Sequence, residues 1–175
     1  AAQSQELENN KVDELAGRKI TAIEVKGNKV INDQQVLKEV TTQVGSEINP
    51  QQLQEDLQAI FDLGYFFDVQ VLFEEEQSGI KLIFEVIENP EITEIKITGN
   101  NHLDKAKIKE LLGIKLPEIL NVSQLNQGMK EVNQYYREQG YILASITDVT
   151  IKNKDQLHLT VNEGFINEIK IQGND

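Results

Sequence analysis

Histidines, carboxylates and hydroxyls are the side chains through which this 175-residue chain could do chemistry, because it has no cysteine to act as thiolate nucleophile or soft metal ligand. The two histidines, His102 and His158, stand far apart, and neither has a second histidine at metal-ligand spacing. Each is read as a packed or solvent-facing residue. Serine, histidine and aspartate all occur, but nothing resembles a nucleophile elbow. Glu74-Glu75-Glu76 has the oxygens to hold a hard cation, yet Gln77-Ser78-Gly79 follows at once, and the run reads as a solvated hairpin turn. With 29 acidic residues, some close carboxylate pairs are expected anyway, so they carry no catalytic signal without geometry. No catalytic, cofactor or metal residue is assigned, and the chain is read as a binding protein rather than an enzyme.

Composition narrows the partners. A net charge of −12 opposes attraction to phosphate backbones and anionic membrane surfaces, so nucleic acid is not an expected partner. Hydrophobic residues at 39% and charged residues at 26% are ordinary for a chain that builds cores. No apolar run approaches the roughly 18 residues of a spanning helix. Residues 18 to 89 hold 6 basic and 13 acidic groups, whereas residues 90 to 163 hold 9 and 10. Such an acidic first half favours solubility, with a basic partner as the second reading.

The elements that position these residues emerge from a repeat. Ile20-Thr-Ala-Ile-Glu-Val-Lys-Gly-Asn28 returns as Ile92-Thr-Glu-Ile-Lys-Ile-Thr-Gly-Asn100 and as Ile166-Asn-Glu-Ile-Lys-Ile-Gln-Gly-Asn174. Gly27 and Gly99 are 72 residues apart, and Gly99 and Gly173 are 74 apart, the period of a small domain rather than of a solenoid turn. The expected organisation is a flexible lead-in over 1–17, a module over 18–89, a second over 90–163, and the first strand of a truncated third over 164–175. Pro90 lacks an N–H and disfavours helix in Asn89, so the module linker is placed at Asn89-Pro90.

Within each module the apolar period switches from two to 3.6 and back. Ile23 and Val25 alternate as a half-buried strand closed by Gly27, a turn glycine matched by Gly99 and Gly173. Asn32 then caps a helix carrying Val36, Leu37, Val40 and Val44 to Gly45, and Asn49-Pro50 opens a second helix that ends at Gly64. Module two repeats the plan, with a helix from Asp104 to Gly113 and another from Val122 or Ser123 to Gly140. Two strands follow in each: Phe67, Val69, Val71 and Phe73 alternate before Leu82, Phe84 and Val86, and Leu143 to Ile151 precedes Leu157 to Val161.

Two helices between strands return the chain to its start, so the fold class is α+β. Each β-α-α-β-β module is expected to form a three-stranded mixed sheet, third strand central, with both helices on one face. An edge strand exposes unpaired N–H and C=O groups, to which an extended peptide can add. The candidate peptide-binding edge is therefore Phe67, Val69, Val71 and Phe73 in the first module and Leu143, Ser145, Thr147 and Val149 in the second. The competing reading is that neighbouring modules cap these edges.

The element order, the repeated Ile-x-x-Ile-x-Ile/Val-x-Gly-Asn opening, Leu63-Gly64-Tyr65-Phe66 and Gln139-Gly140-Tyr141-Ile142, and the ending Phe84-Glu-Val-Ile-Glu-Asn-Pro90 together resemble tandem POTRA domains, over about Arg18 to Asn174. A third opening strand makes the resemblance closest to BamA-like outer-membrane assembly proteins. It implies the periplasmic part of an outer-membrane protein that receives unfolded outer-membrane protein precursors and docks accessory assembly lipoproteins by β-augmentation. It further implies delivery of clients to the protein's own C-terminal outer-membrane β-barrel, which lies outside this sequence. The alternatives are the POTRA region of a related translocation or secretion protein, a structural spacer without client binding, and a small ferredoxin-like enzyme.

Overall fold

A computed structural model describes Val12 and residues 14 to 164. The chain divides into two compact units between Asn89 and Pro90. In the first, β1 (Ile20–Lys26), α1 (Asp33–Leu37), α2 (Pro50–Asp62), β2 (Phe66–Glu76) and β3 (Gly79–Glu88) follow in order. β3 takes the centre, parallel to β1 and antiparallel to β2. Its even residues Ile80, Leu82, Phe84 and Val86 form the buried floor on which Val36, Leu53 and Ile60 of the helices pack. Full burial of each such side chain contributes about 1.5–3 kcal/mol. The opposite face is largely polar, and Lys81 bridges it to Glu24 and Glu74 at 3.2 and 3.1 Å.

Local chemistry starts the helices where the spacing predicts. The Asn49 side chain accepts from the N–H groups of Gln51 and Gln52, with Pro50 opening α2, and Asn32 forms a capping box with Gln35 at α1. The α1 helix stops at Leu37, however, and does not run to Gly45. Asp56 of α2 is buried and accepts from Thr41 N, Thr41 Oγ1 and Thr42 N at 2.8, 2.7 and 3.1 Å, which holds those residues outside a helix. Leu15 packs into the core and Gly17 N donates to Ile48 O at 2.9 Å. The lead-in expected to be flexible through residue 17 is thus anchored from Leu15, where an apolar side chain finds a core; residues 1–11 and 13 lie outside the described residues.

The second unit contains β4 (Glu91–Ile92), β5 (Glu94–Thr98), α3 (Lys105–Leu112), β6 (Glu118–Ile119), α4 (Val122–Glu138), β7 (Ser145–Lys152) and β8 (Gln156–Asn162). Its sheet has the order β5-β8-β7, again parallel then antiparallel, and Leu157, Leu159 and Val161 of β8 meet Ile108, Val132 and Tyr136 in the core. Gly128 stands on α4 where a Cβ would lie 2.6 Å from the Leu112 Cα, so its missing side chain is what lets α3 and α4 touch. The short β4–β6 pair had no signal in the sequence. The third repeat strand, 166–172, and Gly173 fall outside the described residues.

Candidate polypeptide-binding edges

Each sheet has two edges, and in each unit the chain itself pairs at the start of the edge formed by the first strand. Along β1, Ile48 N donates to Arg18 O, Ile20 N to Ser46 O and Gly45 N to Ile20 O, all at 2.8 Å. In the second unit the added pairing lies just ahead of β5, where Leu120 N donates to Pro90 O at 3.0 Å and β4 pairs with β6. The other edges differ. Among the described residues, no backbone group from outside the sheet bonds to β2 or β7; one side chain does, Asn133 Oδ1 of α4 accepting from Ile146 N of β7 at 3.0 Å.

The side chains along these free edges depart from simple alternation in both units, for one reason. A bulge between Phe66 and Asp68 turns Phe66 inward, 3% exposed, and Phe67 outward, 74% exposed. Val69 and Phe73 are half-buried and Val71 is buried. In the second unit Leu143 lies in the turn before the strand, and β7 opens at Ser145. A second bulge between Ile146 and Asp148 sets Thr147 out of register, so the apolar side chains opposite Val161, Leu159 and Leu157 are Ile146, Val149 and Ile151. Val149 and Ile151 remain 36% and 42% exposed, which gives this edge its apolar surface.

The linker and turn residues have definite places. Asn89 is pinned to the first unit, its N–H donating to Tyr65 O at 2.8 Å and its side-chain amide to Gly64 O at 3.0 Å, whereas Pro90 accepts from Leu120 of the second. Gly27 and Gly99 have φ of +92° and +79°, and a Cβ on either would overlap the carbonyl of Val86 or Val161. Gly64 and Gly140 also adopt positive φ just beyond α2 and α4.

Two carboxylates that sequence reasoning missed hold the turns after β1 and β5. Glu88, at the end of β3, accepts from the N–H groups of Lys29, Val30 and Ile31 at 2.9, 2.9 and 2.8 Å. Burial pushes its carboxyl up, and the three donors more than offset that, leaving it below the usual range. Glu163 plays the same part after β8: it accepts from Asn101 N, His102 N and the Tyr136 hydroxyl at 2.9, 3.0 and 3.0 Å and sits 2.8 Å from His102 Nδ1. Its carboxyl is buried, yet those partners lower it to about 2, while burial and the adjacent carboxylate push the Tyr136 phenol up. The only signal for them is recurrence, Glu88 and Glu163 each lying two residues past the last core valine of the third strand.

This His–Glu–Tyr contact is a turn clamp, with Glu163 fully engaged as an acceptor. His158 lies on β8 opposite Lys96 and Thr150, remote from it in the sheet register. Glu74, Glu75 and Glu76 lie at the end of β2, opposite Lys81, Ile80 and Gly79. Among the described residues no three His, Asp or Glu side chains converge to hold a metal ion. What the geometry offers is two strand edges with no backbone partner from outside the sheet, flanked by apolar and charged side chains, a surface suited to backbone pairing.

The POTRA family model, described as surface antigen variable number repeat, matches residues 18–89 and 90–164. The outer membrane protein assembly factor BamA of Nitratidesulfovibrio vulgaris is 32% identical over 165 residues, 90% of this chain and 21% of that protein. The chain thus spans about a fifth of that relative's length. The N-terminal domain of Omp85 from Thermosynechococcus elongatus superposes with a TM-score of 0.76 at 26% identity, over 90% of this chain and 72% of that one. POTRA1-3 of the periplasmic domain of Omp85 from Anabaena gives 0.70 at 28%, over 84% and 62%.

Proposed function

We propose that this chain, which belongs to the POTRA family and carries tandem POTRA domains of a BamA-like protein, works in the periplasm as the receiving region of an outer-membrane protein assembly factor. Unfolded outer-membrane protein precursors add to it as extended strands, and accessory assembly lipoproteins dock by the same backbone pairing. It acts by binding rather than by catalysis, and a C-terminal β-barrel of the same protein takes the clients onward.

The observation that carries this reading is the asymmetry of the edges. The chain pairs residues 45–48 with the start of the β1 edge and residues 118–120 with the segment leading into β5, whereas among the described residues no backbone group from outside the sheet pairs with β2 or β7. Backbone pairing is largely indifferent to sequence, as a receptor for many different strands requires. Apolar side chains beside the edges, Phe67 and Phe73 in one unit and Val149 and Ile151 in the other, add modest affinity.

The experiment is a titration of the isotope-labelled chain with several unrelated peptides of alternating hydrophobicity, read by amide chemical shifts. Shifts should cluster along Phe67 to Phe73 and Ser145 to Ile151 for every peptide. Shifts confined to β1, β5 or the helices, or none at millimolar peptide, would leave a structural spacer as the better reading.

A further inference from the structure

The two free edges are not electrostatically alike. β2 carries Asp68, Glu74, Glu75 and Glu76 with no basic residue, and its turn, Gln77-Ser78, adds none. Along β7 and its turn, Asp148 and Asp155 are balanced by Lys152 and Lys154. Local pairing removes only part of the β2 charge. One ammonium, Lys81, serves Glu24 and Glu74 together, and Arg18 stands 3.4 Å from Glu75. The side chains of Glu74 and Glu75 stay 56% and 72% exposed, within reach of whatever adds to the strand. β2 is also the longer edge, 11 residues against 8.

We infer that the β2 edge selects extended client segments bearing lysine or arginine, whereas the β7 edge takes clients without regard to their charge. This rests on strand addition as proposed above and names the client chemistry that one of the two edges prefers. A strand added to β2 lies about 4.8 Å away, which makes its side chains cross-strand neighbours of Glu74 and Glu76 on one face and of Glu75 on the other. Exposed pairs of this kind are individually weak. Two on one strand give about fivefold in Kd at low salt, and a Debye length of about 3 Å at 1 M salt removes the effect. Charged residues on an edge also hinder self-association; if that were their whole role, the charge of the client would make no difference.

The test uses the full labelled chain and two short synthetic peptides of identical apolar alternation, one with two lysines and one with two glutamates at the same positions. Affinities are read separately from the amides of β2 and of β7, at low salt and at 1 M. The lysine peptide should bind β2 at least about fivefold more tightly than the glutamate peptide at low salt, since the latter also meets like charge, the ratio should approach one at high salt, and β7 should give one affinity for both. Glu75→Gln with Glu76→Gln should reduce the ratio at β2 and leave β7 unchanged. Equal affinities at β2, or an equal preference at β7, would overturn the inference while sparing strand addition. Failure of either peptide to move amides on either edge would defeat strand addition and the inference with it.

Discussion

Replacing Glu163 by glutamine keeps the side chain's size and removes its charge from a buried site. Asn101 N, His102 N and the Tyr136 hydroxyl all donate to the one oxygen Oε1 of Glu163, while Oε2 meets His102 Nδ1, so glutamine would offer the three donors a neutral acceptor and set an amide NH2 against the imidazole. Its carboxyl titrates at about 2, against 4.5 for an ordinary glutamate. At about 1.4 kcal/mol per unit the gap corresponds to about 3 kcal/mol. Solvent reaches the loop through the His102 side chain, 38% exposed, and screening brings the expected loss to about 2 kcal/mol. Because the folded-state value lies below the unfolded one, the unfolded chain binds more protons between them, and stability rises with pH through that window. The contribution is therefore full above about pH 4.5 and lost as pH falls toward 2. Urea unfolding followed by NMR peak intensities separates the units, with Leu157 and Leu159 reporting on the second and Leu82 and Phe84 on the first. Glu163→Gln should lower the second unit's midpoint at pH 7 and leave the first unit's unchanged, and the gap should close on acidification. A gap constant down to pH 3, or an equal loss in the first unit, would refute the assignment of Glu163 as a charged clamp.

Gly99→Ala should cost the second unit about 2 kcal/mol or more in urea melts, since its Cβ meets the Val161 carbonyl, whereas Gly140→Ala, with nothing within 4 Å, should cost only the roughly 1 kcal/mol of a positive φ. Asp56→Ala should destabilise the first unit by about 2 kcal/mol by freeing Thr41 N and Thr42 N, read as faster amide exchange at those two residues. Burial raises the Asp56 carboxyl, but its hydrogen bonds to Thr42 and Thr41 lower it overall, so this contribution is present above the usual aspartate range and lost on acidification.

The order of strands was legible because the evidence for it is periodic and repeated. Two helical stripes between strands and the alternation of Ile80, Leu82, Phe84 and Val86 leave few ways to build the sheet, and the second unit repeats the pattern with Leu157, Leu159 and Val161. The bulges were not legible. Phe66 and Phe67 are both apolar, so alternation alone cannot say which is inside, and Ile146 and Thr147 differ too little in β propensity to mark the slip. The early end of α1 depends on Asp56, fifteen residues beyond the Thr41 it holds, which on a helical wheel is one more polar position. The pairing of residues 45–48 with Arg18 and Ile20 runs through backbone groups, which every residue carries and no side-chain pattern reports. Glu88 and Glu163 were overlooked for the opposite reason: a lone glutamate after a strand is unremarkable until both modules show it on the same loop.

Addition of a client strand to an unpaired edge predicts new hydrogen bonds to particular amides, and hydrogen exchange counts them directly. With a strand-forming peptide at about ten times its Kd, outward-facing amides in β2 and β7 should exchange about tenfold more slowly, in an alternating pattern along each strand. Amides of β1 and β5 should not change. Binding that shifts resonances but slows no amide in β2 or β7, or that protects β1 and β5 instead, would contradict backbone pairing at these edges.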